Sequence, residues 1–168
     1  MKRIIILTIL LAIQLVIHPN SNQGKLYAKQ FETLTTQAYV SKVIDGDTIT
    51  AIINGRYKIT VRLYGIDAPE LKQEYGLVSK QILSNTILHK NVIIKFNSTD
   101  RYNRILGIVY FNNIDINKAL VANGYAWCYN KYSTKYCPDQ KYAMQNKLGL
   151  WNGGNIIKPD SFRKLIKR

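Results

Sequence analysis

The sequence is poor in sulphur, imidazole and negative charge. Its 168 residues include two Cys, two His and ten Asp or Glu, against 24 Lys and Arg. A zinc-type site has too little material: Cys128 and Cys137 are the only thiols, and His89 is the only histidine beyond the N-terminal segment, far away in sequence. The apolar run from Ile4 to Ile17, interrupted by Thr8 and Gln14 and stopped by His18-Pro19, is shorter than the roughly 20 residues of a spanning helix. No repeat, low-complexity tract or long linker divides the chain from Tyr39 onward, and the length suits one compact domain rather than two.

What is abundant is positive charge. The formal net charge is +14 and the isoelectric point is near 9.8, which favours polyanionic partners; nucleic acid competes here with an anionic membrane and with plain solubility. Met1-Lys2-Arg3 followed by the short apolar run is a signal-peptide pattern, with residues 1–28 as the leader and cleavage after Ala28. Removing it takes away Lys2, Arg3 and Lys25 and no acid, so the charge falls by three to +11 and the basic character belongs to the domain. An uncleaved anchor is the alternative, and only then would a membrane be a partner. Export, to the outside or the periplasm, places Cys128 and Cys137 where a disulfide can form, two buried thiols being the other reading.

Residues 29–38 read as a flexible arm, and residues 39–168 as the folded domain. Three β-branched and aromatic stretches, Tyr39 to Ile44, Thr48 to Ile53 and Tyr57 to Tyr64, predict strands. Asn54-Gly55 joins the last two by a type I′ turn, in which both central residues need positive φ, so an antiparallel meander follows. A helix is expected from Tyr75 to Leu88, strands over Asn91 to Asn97 and Ile105 to Phe111, a helix from Ile116 to Asn123 ended by Gly124, and a last helix with Pro138 in its first turn running to about Leu148. The fold class is therefore α+β, mainly β: a five-stranded barrel of the OB type with about three helices.

Five of the ten acids fall between Asp45 and Glu74. Carboxylates without neighbouring His or Cys favour hard cations, calcium or magnesium. Taken singly, Asp45-Gly46-Asp47 reads as turn chemistry and Asp67-Ala68-Pro69-Glu70 as a proline-fixed corner. Arg62 alters that weighing, because its strand feeds the corner directly. Period-two alternation would set Arg62 and Asp67 on opposite faces, so they converge only if the strand ends near Gly65. Hydrolysis of a phosphodiester needs a metal, a base and cations for the transition state. Asp47 and Asp67 suit the metal, Glu70 the proton, and Arg62 a bidentate phosphate clamp, with Arg104 as a second arginine from the loop Asp100 to Arg104. Tyr125, Trp127, Tyr129, Tyr132, Tyr136 and Tyr142 alternate with lysines, a pattern that suits single strands or packs helices on the barrel.

Val43-Ile44-Asp45-Gly46-Asp47-Thr48, Val61 to Glu70 and Asp100-Arg101-Tyr102-Asn103-Arg104 together resemble the thermonuclease, or staphylococcal nuclease-like, family in order and spacing, over about Tyr39 to Trp151. The resemblance implies an OB-type barrel and a Ca2+-dependent endonuclease acting on DNA and RNA, usually on unpaired strands. It makes Asp47, Asp67 and the backbone carbonyl of Ala68 the metal ligands, and Arg62, Glu70 and Arg104 the catalytic trio. Arg101 and Tyr102 would line the nucleotide pocket, with a further tyrosine at Tyr129 or Tyr132. The stretch after Glu70 is short compared with the best-known member. A monomer without a stable protein partner is expected. A non-catalytic nucleic-acid-binding barrel stands as the rival reading, against which the joint presence of Arg62, Glu70 and Arg104 argues.

Overall fold

The computed structural model describes residues 33–153 and 156–166. The expected leader and most of the expected arm lie outside the described residues. From Leu34 onward the chain forms one compact unit. Its strands are β1 (Leu34–Val43), β2 (Thr48–Ile53), β3 (Tyr57–Leu63), β4 (Ile66–Asp67), β5 (Asn91–Thr99), β6 (Ile105–Phe111), β7 (Ile114–Asp115) and β8 (Trp127–Cys128). Its helices are α1 (Gly76–Ile87), α2 (Ile116–Ala122), α3 (Cys137–Gln145) and α4 (Pro159–Leu165), with a 3-10 turn at Gly149–Trp151.

The predicted meander is present: β1 pairs antiparallel with β2, and β2 with β3. Asn54 and Gly55 both have positive φ, 53° and 65°, which matches the twist of the hairpin they close. β5 pairs antiparallel with β1 and with β6, and β6 then pairs in parallel with β3, closing five strands into a barrel. That closure removes the free edges of an open sheet. The interior is built by alternation. On β5, Val92 and Ile94 are buried while Asn91, Ile93 and Lys95 face out, and Val40, Ile49, Val61 and Val109 complete the core.

Three features depart from expectation. β1 starts at Leu34, inside the expected arm, because Leu34 to Ala38 pair with Phe96 to Val92 of β5. Leu34, Thr35 and Gln37 remain exposed on that extension, so no burial pattern marks it in the sequence. The last predicted helix stops at Gln145, short of Leu148. A fourth helix, α4, follows the region where helices were expected to end.

α1 packs Ser79, Leu83 and Ile87 on the barrel, a spacing of four residues that keeps them on one helix face. α2 is fixed by Asn117, which is fully buried. Its amide nitrogen donates to the carbonyls of Tyr64 (2.9 Å) and Gly107 (3.1 Å), and its oxygen accepts from the Val109 amide (3.1 Å). Those bonds tie α2 to the chain just past β3, where the acidic corner begins. α2 ends at Ala122 with Gly124, at φ 71°, just past its cap, and Pro138 lies in the first turn of α3, both terminators as predicted.

Candidate active site

Three stretches close in sequence, around Asp47, Arg62 and Asp67, converge with a distant fourth around Arg163. β3 ends at Leu63, and Gly65, at φ 75°, reverses the chain into β4. The break cancels strand alternation, so Arg62 and Asp67 meet instead of facing apart. Arg62 Nη2 lies 2.9 Å from Asp67 Oδ1 and Arg62 Nη1 2.8 Å from Asp47 Oδ2. One guanidinium therefore bridges two carboxylates supplied by the β1–β2 connection and by β4, and its Nη1 also donates to the Leu63 carbonyl.

The chain around Asp47 is drawn in tightly. A Cβ on Gly46 would stand 2.7 Å from that of Ala68 and 2.8 Å from that of Ser79, so only glycine lets the Asp45–Asp47 turn approach the acidic corner this closely. Asp45 Oδ1 accepts from the Asp47 amide at 3.0 Å, which is the turn chemistry expected of it. Asp47 Oδ2 accepts from the Ala68 amide at 2.6 Å, and Asp47 Oδ1 from the Thr48 hydroxyl at 3.0 Å. Ala68 is buried, and it is its amide rather than its carbonyl that meets Asp47.

Burial governs the electrostatics. Asp47 is 6% exposed, and desolvation pushes its carboxyl up to about 7; Arg62 opposes that rise, while Asp45 and Asp67 add to it. Desolvation likewise raises Asp67, against hydrogen bonds and charge from Arg163 and Arg62. Two carboxylates that disfavour each other's ionisation need positive charge nearby. Among the described residues, no three Asp, Glu, His or Cys side chains converge as a ready-made ligand set. The oxygen donors that are present, the two aspartates with the Ala68 carbonyl, are hard, and they suit calcium or magnesium with water completing the shell.

Arg163 is the residue that sequence reasoning missed. It reaches from α4 to Glu70 Oε1 at 2.7 Å and to both oxygens of Asp67, at 3.3 and 3.0 Å. Glu70 thus joins the network through Arg163. Nothing local announces this, since Arg163 stands in a basic C-terminal run and is 93 residues from its Glu70 partner.

The second predicted arginine sits apart. Arg104 donates through Nε (2.8 Å) and Nη2 (2.7 Å) to Asp100 Oδ2, while Asp100 Oδ1 accepts the amides of Tyr102 and Arg104. Partial burial pushes Asp100 upward, but the bonds from Arg104 and Tyr102 outweigh it and hold the carboxyl below its ordinary value. Both Arg101 and Arg104 lie over the Tyr102 ring, at 4.8 and 5.5 Å. The parallel pairing of Val61 with Ile105 nevertheless places Arg104, the residue just before β6, next to the strand that carries Arg62.

The aromatic segment divides as its two readings together imply. Trp127 and Tyr136 are buried, whereas Tyr132 and Tyr142 are exposed. β8 pairs with β4, setting Trp127 opposite Asp67, and the Tyr129 amide donates to the Gly65 carbonyl. Tyr129 is consequently close enough to the acidic corner that, after burial, the Asp67 charge is the main influence raising its hydroxyl. Tyr132 packs edge-on against it at 4.9 Å. Cys128 and Cys137 are joined in a disulfide that closes the loop bearing both tyrosines.

A family model described as "Staphylococcal nuclease homologue" matches residues 60–153, which takes in Arg62, Asp67, Glu70 and Arg104 but neither Asp47 nor Arg163. An "Uncharacterized endonuclease" of Haemophilus influenzae is 41% identical over 130 residues, covering 76% of this chain and 73% of that protein. A similarly named protein of Escherichia coli is 38% identical over 123 residues (71% and 80%), and a "Micrococcal nuclease" of Shigella flexneri 34% over 141 (76% and 80%). The closed barrel, the carboxylate–arginine corner and these matches agree: the chain belongs to the staphylococcal nuclease homologue family.

Proposed function

We propose that this protein is an exported, calcium-dependent endonuclease that hydrolyses phosphodiester bonds in DNA and RNA, with a preference for unpaired strands. The observation that carries the reading is the single guanidinium of Arg62 shared by buried Asp47 and Asp67, with Glu70 in the same network. Relatives named as endonucleases and as a micrococcal nuclease support the reaction class.

Asp47, Asp67 and the Ala68 carbonyl would hold the calcium, which when bound supplies Lewis-acid stabilisation of a phosphate oxygen. Arg62 meets the scissile phosphate through the N–H groups that Asp47, Asp67 and the Leu63 carbonyl leave unbonded, and opposes the negative charge that builds on the phosphoryl oxygens of the five-coordinate transition state. Glu70, the less buried acid, takes the proton from the attacking water. Arg104, released from Asp100, adds a second cation from the loop that leads into β6. Tyr102, Arg101, Tyr129 and Tyr132 offer ring and guanidinium faces on which unpaired bases stack, which the paired bases of a duplex reach less readily.

Cleavage of single-stranded DNA and RNA, compared in calcium, magnesium and chelator, tests the assignment. Activity should vanish in chelator and return with calcium alone. Glu70→Ser should abolish cleavage yet leave strand binding intact; wild-type protein that binds a single strand in calcium without cutting it would sink the catalytic reading in favour of a binding module. Export rests on residues 1–28, and N-terminal sequencing of secreted material, beginning after Ala28, checks it.

A further inference from the structure

The site contains one cation whose attachment differs from the rest. Arg62 is held in the barrel wall, whereas Arg163 arrives on α4, a seven-residue helix of which only Pro159 is buried. Leu165 and Ile166 at its end are exposed. Its other anchors are slight: the Gln73 side-chain amide bonds the Ile157 carbonyl, Lys158 Nζ lies 5.5 Å above the Trp127 ring, and Phe162 lines a small cavity with Tyr75 and Leu150. A segment with so little buried surface opens at low cost. Arg163 makes three of the segment's hydrogen bonds to the rest of the domain, more than any other residue in it.

Those bonds occupy the atoms that matter. A carboxylate offers about four acceptor positions. On Asp67, Arg62 takes one and Arg163 takes two, one on each oxygen, and Arg163 Nη1 also takes Glu70 Oε1. A hard dication needs carboxylate oxygen at about 2.3–2.6 Å, well inside the distance at which a guanidinium sits. The ion and Arg163 would then crowd one face of Asp67 with like charge in a buried setting, where repulsion is poorly screened.

We propose that α4 is a metal-displaced latch, in which Arg163 is a tethered cation covering Asp67 and Glu70 until a divalent cation expels it. The proposal rests on the reading of Asp67 as a metal carboxylate. Closed, the latch neutralises the buried acids and withholds Glu70. Open, it exposes both, and a metal whose site is available only in the open fraction binds more weakly by that fraction.

The test uses the full chain, stripped of metal, with calcium as the probe. By calorimetry Arg163→Gln should bind calcium at least fivefold more tightly than wild type, with Arg163→Lys between them. By hydrogen exchange on wild type, which needs no variant to fold, saturating calcium should speed exchange at the Phe162 and Ile166 amides, both bonded within this segment. Equal or weaker calcium binding by Arg163→Gln, or α4 amides that keep their protection in calcium, would overturn the latch and make Arg163 a fixed support of the acids. Asp67→Asn separates the two readings. Calcium bound by wild type and lost in Asp67→Asn, with no gain in Arg163→Gln, removes the latch alone. Calcium bound by neither wild type nor Arg163→Gln removes the metal assignment and the latch together.

Discussion

Two acid–arginine constellations carry the residues predicted for the site, and they are held in opposite ways. The Asp100–Arg104 loop is local: one aspartate accepts two amides and an arginine four residues on, in a half-exposed hairpin, and its carboxyl is held below the ordinary range. The Asp47–Arg62–Asp67–Glu70–Arg163 corner is assembled across the fold around two buried aspartates, both of them raised, with Glu70 and Arg163 at its half-exposed rim. A local turn satisfies its charge with nearby backbone donors and can release its arginine at little cost. A buried corner cannot, because each carboxylate depends on cations brought from other elements. The first arrangement suits an arginine that moves onto substrate; the second suits a pre-organised field.

The contrast is most sharply broken by removing one arginine from each. Arg62→Ala strips a cation from two buried carboxylates and should cost about 3–5 kcal/mol of folding free energy in metal-free buffer. Arg104→Ala leaves a partly exposed acid that keeps its amide donors and should cost about 0.2–1 kcal/mol. Chemical denaturation of the two variants reads the difference directly, and equal losses would erase the distinction.

Acidity gives the next largest effect, with opposite signs in the two regions. Asp47 is raised to about 7, so the native state prefers its protonated form; metal-free stability is highest below pH 4 as far as this group is concerned, and declines as pH rises through about 7. Each tenfold preference for the protonated carboxyl is worth roughly 1.4 kcal/mol, so the decline amounts to a few kcal/mol, and Asp47→Asn should abolish it. Asp100, lowered instead, contributes stability that is present above the usual carboxylate range and lost on acidification. Thermal melts against pH for Asp47→Asn and Asp100→Asn check both signs. Calcium affinity should weaken below pH 7 for the same reason, since the ion needs Asp47 ionised.

A smaller effect links the corner to its aromatic rim. Reducing the Cys128–Cys137 disulfide opens the loop carrying Tyr129 and Tyr132 and should lower stability by about 2–3 kcal/mol. Because β8 pairs with β4 beside Asp67, reduction should also raise KM for single strands more than it lowers kcat. Steady-state kinetics with and without reductant decides it.

Much of this molecule is legible before folding. Asn54-Gly55, Gly65, Gly124 and Pro138 punctuate the chain where elements turn, stop or start, because each supplies a backbone conformation that few other residues tolerate. Alternating β-branched residues locate the barrel strands by the same short-range logic. Asp47, Arg62 and Asp67 stand within 21 residues of one another, so their meeting required only that a strand end at Gly65 and that Gly46 let the preceding turn approach. Residue order alone therefore determined the barrel's parts, the hard-oxygen character of the acids and the arginine between them.

The tertiary structure decided the rest, for reasons of distance and competition. The Leu34 end of β1 is a strand because β5 is there to pair with it, not through its own polar pattern. Arg104 rests on Asp100 because an aspartate four residues away outcompetes acids beyond the strand. Arg163 reaches Asp67 and Glu70 only once the barrel, the corner and the final helix are in place, and a basic run read by itself holds no record of which distant carboxylate will be left short of positive charge.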